Sequence, residues 1–247
     1  MKIVSIHQPA YFPWLGYFHK IILSDTFVFL DTVQFEKNSF TNRNKVLTAN
    51  GAVWLTVPVK TFGHTKGKLI DLKISEKEDW KKKHIKTLES GYSKTPYFKE
   101  YFPLIAGQIL GSSDNFCELT FNMLKLFMDI LKFKVNIIRS SQIPVSSQKS
   151  QLVLDLCKYC KADIYISGAL GRDYLDLESF QREGVKVYFQ DYRHPVYAQR
   201  FGGFVPNLSI VDLLFNRGAQ EAREVIFSDN CKKEYIVKEL NLTGAKS

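Results

Sequence analysis

Cysteine is scarce in this chain and long apolar runs are absent, and each shortage removes a class of protein. Four cysteines, Cys117, Cys157, Cys160 and Cys231, are spread through 247 residues, too few and too scattered for a disulfide framework. Cys157-Lys158-Tyr159-Cys160 has the spacing of a redox or zinc half-site. No second Cys or His pair follows at a suitable distance, so the two thiols read as helix residues at home in a core, and no metal site is expected. No apolar stretch approaches the roughly 18 residues of a transmembrane helix, and the N-terminus enters a strand without a signal-peptide pattern. A cytoplasmic location is expected. The sequence also lacks internal repeats, low-complexity segments and any recognised nucleic-acid motif.

Hydrophobic residues make up 45% and charged residues 24% of the chain, the balance of a globular protein, and the 14% aromatic share is high enough to line pockets as well as cores. The formal charge of +9 suits nucleic acid, anionic lipid or a phosphorylated small molecule equally well. Part of that excess lies in Lys81-Lys82-Lys83, Lys86, Lys232, Lys233 and Lys238, runs that read as solvated faces.

Period-two and helical patterning alternate along the sequence. Residues 2–7 form a first strand; Pro9 ends it, and Pro13 suits the first turn of a helix closed by Ser24-Asp25. Thr26 to Leu30 is a second, buried strand, which makes a right-handed βαβ unit. Residues 34–44 read as an ordered polar loop, and Asn50-Gly51 as a turn leading into a hairpin return or third strand over 51–59. A flexible loop over 62–68 precedes three helical stretches. Further strands are expected at 134–139, 163–167 and 184–189, with helices at 150–161 and 210–215, the latter capped by Ser209 and ended by Asn216 to Gly218; a helix and frayed tail close the chain. The expectation is one α/β domain over 1–247 with a mostly parallel sheet and a helical insertion at about 75–132.

Candidate chemistry collects where strands end. His7 and Gln8 end the first strand, and Gly16 follows in a helix start where backbone amides could hold phosphate; close helix packing explains the glycine equally well. Tyr11, Trp14 and Tyr17 would wall a pocket. Asp31, Gln34, Lys37, Asn42, Arg43, Asn44 and Lys45 crowd acid, amide and base into fifteen residues, with Arg43, Lys45 and Lys20 suited to phosphate. Gly168, Gly171 and Asp173 repeat the strand-end pattern, Asp173 serving as a ligand group or as a helix N-cap. Asp191 and His194 follow the last strand, where His194, held by Asp191, or His7 could take a proton from an amine.

These residues together resemble the WbqC-like family of bacterial proteins, which occur with genes for O-antigen and other surface polysaccharides. The resemblance runs through His7-Gln8-Pro9, Tyr11 to Tyr17, Leu30-Asp31, Val33-Gln34-Phe35, Asn42 to Lys45, Trp54 to Val59, Gln190-Asp191-Tyr192, His194 to Tyr197 and Pro206-Asn207-Leu208-Ser209 through Leu214. It implies a transferase that forms an amide, glycyl or other acyl, on a nucleotide-linked amino sugar, with Asn207 among the binding residues. An acyl carrier or aminoacyl-tRNA is the implied source if the acyl group arrives activated. A second similarity, in topology, is to the nucleotidyltransferase-type, Rossmann-like fold of pantothenate synthetase, which implies ATP with magnesium if a free carboxylate is activated. The two-histidine motif of that family stands here as Trp14-Leu15-Gly16-Tyr17, matching only at Gly16, so His7 or His19 would supply the imidazole. A reading from another class, suggested by charge and aromatics, is a non-catalytic binder of nucleic acid or another anionic polymer.

Overall fold

The structure is a computed structural model and describes residues 1–37, 39–60, 67–76 and 79–244, with side chains as far as residue 241. The loop expected over 62–68 lies outside the described residues up to position 66, as does the end of the tail.

Five strands form one parallel sheet: β1 (Ile3–His7), β2 (Thr26–Phe29), β5 (Asn136–Arg139), β6 (Ile164–Ser167) and β7 (Lys186–Phe189), in the order β5-β2-β1-β6-β7. The chain starts at the centre, builds outward on one side through β2 and β5, then returns to build the other side. This doubly wound order places a topological switch point between β1 and β6. The central strands are apolar on both faces because helices cover both. On one face Val4, Ile6 and Val28 pack with Leu152 and Leu156 of α5 (Lys149–Tyr159) and Phe180 of α6 (Leu177–Arg182). On the other, Phe27 and Phe29 meet Phe18 and Ile21 of α1 (Leu15–Ile22), Phe127 of α4 (Phe116–Ile130) and Leu214 of α7 (Ile210–Phe227). Ile3, Ile164 and Ile166 meet Ile236 of α8 (Lys233–Gly244).

Between β2 and β5 the chain inserts an antiparallel hairpin, β3 (Arg43–Thr48) and β4 (Gly51–Thr56), followed by α2 (Trp80–Tyr92), α3 (Phe98–Leu110) and α4. Arg43 and Asn44, expected in a loop, are instead the first residues of β3, since pairing with β4 satisfies their backbone groups. Gly51 has φ 96°, the conformation that the Asn50-Gly51 turn requires.

Helix boundaries agree with the sequence reading in one place and differ in another. The helix capped by Ser209 breaks at Gly218, where the sequence places its end, with φ 72° and ψ 170°, and a second helical segment carries α7 on to Phe227. A Cβ on Gly218 would lie 2.7 Å from the Tyr97 ring, so both conformation and space demand glycine. Asp173 starts no helix: it ends a 3-10 turn over Ala169–Asp173, and the N-cap of α6 is Asp176, which accepts from the Ser179 amide. Among the described residues no helix is long and apolar enough to cross a membrane.

Candidate functional site

At the switch point the register itself opens a crevice. β1 pairs with β2 as far as His7↔Phe29, but with β6 only as far as Ser5↔Ile166. Past Ser5 the two strands part, and Lys20 from α1 enters the gap. Its Nζ donates to the carbonyl oxygen of Ile6 at 3.1 Å, and a Cβ on Gly168, just after β6, would stand 4.0 Å from that nitrogen. Lys20 is only 3% exposed. Burial makes its charged form costly and lowers its pKa to about 7.

His7 closes the central strand beside this amine. Its Nδ1 lies 3.0 Å from the Gln8 carbonyl oxygen; a carbonyl only accepts, so Nδ1 carries the proton and Nε2 the lone pair. The ring is held edge-on by Tyr17, at 4.8 Å between centroids, and by Trp14, at 5.5 Å, while the Tyr17 hydroxyl donates to the same Gln8 carbonyl at 3.2 Å. Burial, reinforced by the Lys20 charge, lowers the His7 pKa to about 3. The crevice therefore holds a neutral imidazole and an amine poised between charge states.

The base of α1 is sealed by the segment after β7. Gln190 Nε2 donates to the Gly16 carbonyl at 3.0 Å and to His19 Nδ1 at 2.9 Å, and His19 Nε2 in turn donates to the Cys231 carbonyl. A Cβ on Gly16 would meet the Tyr192 ring at 2.8 Å and the Trp14 indole nitrogen at 3.2 Å. The space beside Gly16 is already filled by these rings, which is close packing.

His194 is not held by Asp191. Its Nδ1 donates to the Pro195 carbonyl at 3.0 Å, and Asp191 is exposed. A carboxylate one strand end away from an imidazole points wherever its turn directs it, and here the His194 ring turns inward towards Tyr192, Tyr197 and Phe204. Among the described residues the buried His194 Nε2 and Tyr192 hydroxyl have no hydrogen-bond partner, and burial lowers the His194 pKa.

The remaining residues divide between scaffold and surface. Asp31 is fully buried beyond β2, and its carboxylate accepts from Arg139 Nε, Ser140 Oγ, and the amide and hydroxyl of Ser141, all at 2.8 to 2.9 Å. Asn44 Nδ2 donates to the Phe12 carbonyl and Asn42 Nδ2 to the Val57 carbonyl. The Phe12 carbonyl belongs to a residue with φ 49°, so Asn44 braces a strained corner. Tyr11 is fully buried and bonds His84 Nδ1 at 3.0 Å. Gly171 is buried against Ser167 in the turn after β6. Gln34, Lys37, Asp173 and Asn207 are exposed, Asn207 with φ 59°.

Arg43 and Lys45 leave β3 on one face and flank Trp54 of β4, with the Arg43 guanidinium carbon 4.5 Å and Lys45 Nζ 5.0 Å from its ring. Sequence reasoning singled out the cations but gave the tryptophan no role. The alternation through residues 51–56, with a bulky ring at an outward position, was the available signal. It also gave no role to Gln190, Arg139, Ser140 and Asp212, whose partners lie 15 to 174 positions away.

No solved structure matches this chain. An uncharacterized protein, Rv1507c, of Mycobacterium tuberculosis is 34% identical over 222 residues, covering 89% of this chain and 96% of that protein. The model of the WbqC-like protein family matches residues 8–224, a span that takes in Lys20, the Asp31 cluster, the β3–β4 hairpin and most of α7 and begins one residue after His7, and the chain belongs to that family.

Proposed function

We propose that this protein is a transferase that forms an amide on a nucleotide-linked amino sugar, in the synthesis of O-antigen or another surface polysaccharide. The observation that carries this reading is the pairing of a neutral His7 with a buried Lys20 in the gap between β1 and β6. The amine of the sugar attacks the acyl carbonyl carbon; a carbon–nitrogen bond forms, and the bond to the activating oxygen breaks. His7 Nε2, which carries the lone pair because Nδ1–H is committed to the Gln8 carbonyl, takes the proton released by the amine. Lys20, when protonated, has hydrogens beyond the one given to Ile6 and supplies positive charge to the oxyanion or a phosphate. The acyl group arrives already activated on a carrier, consistent with the packed surroundings of Gly16.

The test is to incubate purified protein with nucleotide-linked amino sugars and activated acyl donors and to detect the amide by mass spectrometry. His7→Gln should lower the rate by about a hundredfold or more with an unchanged melting curve. Full activity in that variant, or no amide from any donor, would sink the reading.

A further inference from the structure

A continuous surface leads away from the His7 crevice. Trp14, in edge contact with His7, lies 5.5 Å between centroids from Phe40, and Phe40 lies 5.6 Å from Trp54. Phe40 is 44% and Trp54 41% exposed, so both rings are open to a ligand. Arg43 and Lys45 sit at the Trp54 ring. The row then opens into a groove of about 670 Å³ between the hairpin and α2, where Trp54 shares the walls with Lys82, Lys83 and Lys86. The groove's acid, Asp79, is committed as the N-cap of α2 and accepts from the Lys82 amide.

Two exposed rings, Phe40 and Trp54, beside a cationic track match the chemistry of unpaired nucleotides, whose bases stack on rings while their phosphates pair with lysine and arginine. A duplex buries its base faces and gains nothing from the rings. A single nucleotide diphosphate could engage Trp54 with Arg43 and Lys45 but would leave the lysine groove beyond it empty.

We propose that the Trp14–Phe40–Trp54 row and the adjoining lysine groove bind single-stranded RNA, with one end of the strand directed to the His7 crevice. This deepens the proposed function and rests on it in one respect: the strand would be the carrier of the activated acyl group. RNA binding itself stands independently of that chemistry.

The experiment measures fluorescence anisotropy of the full chain with a short labelled single-stranded RNA, the same sequence as a duplex, and UDP as competitor, over a range of salt. Single-stranded RNA should bind most tightly, and its affinity should fall with salt. Trp54→Ala should weaken it about tenfold, corresponding to the loss of one stacked base. The triple variant Lys82→Gln, Lys83→Gln, Lys86→Gln should reduce the slope of log affinity against log salt by about 2, from three phosphate contacts. Lys99→Gln, on α3 outside the groove, should change neither. The proposal is overturned if the duplex binds as well as the single strand, if UDP displaces the RNA at comparable concentration, or if Trp54→Ala binds like wild type with an unchanged melting curve. RNA binding without amide formation would refute the transferase reading alone. Amide formation from a donor that is not RNA, with no RNA bound, would refute this inference alone.

Discussion

Arg139, at the end of β5, donates from Nε to the Asp31 carboxylate at 2.8 Å and also pairs with Glu118 of α4, so that one guanidinium ties the ends of two parallel strands to the inserted helices. Asp31 is fully buried and its acceptors are engaged by four donors from residues 139–141. Removing the carboxylate strands those donors, including a cation 15% exposed. Asp31→Ala should therefore cost about 3 to 5 kcal/mol of stability, seen in urea denaturation. A cost below about 1 kcal/mol would show that the cluster is filled by water or relaxes freely.

Lys20 makes stability depend on pH in a direction opposite to that of a paired lysine. Its unfolded pKa is 10.5 and its folded value about 7. Between these the unfolded chain binds a proton that the folded chain does not, so stability contributed at this site rises with pH across the window. The cost of burying the amine is complete below about pH 7 and gone above about 10.5. Wild-type stability relative to Lys20→Met should thus climb by roughly 2 to 4 kcal/mol between these limits. Denaturation of both proteins at several pH values checks it, and a flat difference would mean that Lys20 stays charged in the fold.

Asp212 of α7 is fully buried and receives the hydroxyls of Tyr92 at 2.8 Å and Tyr197 at 2.9 Å. The Tyr92 hydroxyl also accepts the Leu47 amide at 2.7 Å, linking β3, α2 and α7 through one oxygen. Tyr92→Phe leaves both a buried amide and a carboxylate oxygen unsatisfied, whereas Tyr197→Phe affects the carboxylate alone. The first should cost about 2 to 4 kcal/mol and the second about 1 to 2. Equal melting temperatures for the two variants would contradict this hierarchy.

The α/β class and most of its elements were legible because each is a local pattern. Buried β-branched and aromatic runs such as Thr26–Phe29 can satisfy themselves only inside a covered sheet, and Ser209 marks a helix start by accepting from the Val211 amide, whereas Pro13, expected in the first turn of α1, stands one residue before its Trp14 N-cap. Misreadings fell where a distant partner decides. Arg43 and Asn44 look like loop residues until β4 pairs with them. Asp191 looks like a partner for His194 until the ring turns towards Tyr197 and Phe204.

By itself the sequence determined which residues lie at strand ends, since hydrophobic periodicity stops there and polar side chains begin. His7 and Lys20 were both visible as polar groups bordering the first strand and helix. Only the tertiary structure decided what those groups are chemically, because a pKa depends on burial and neighbours rather than on residue type. The parting of β1 from β6 after Ser5 makes the gap that Lys20 enters, and the Gln8 carbonyl selects the His7 tautomer. Likewise Gly16 belongs to Tyr192 and Asp31 to Arg139 through contacts spanning 176 and 108 positions, distances over which no local pattern carries information.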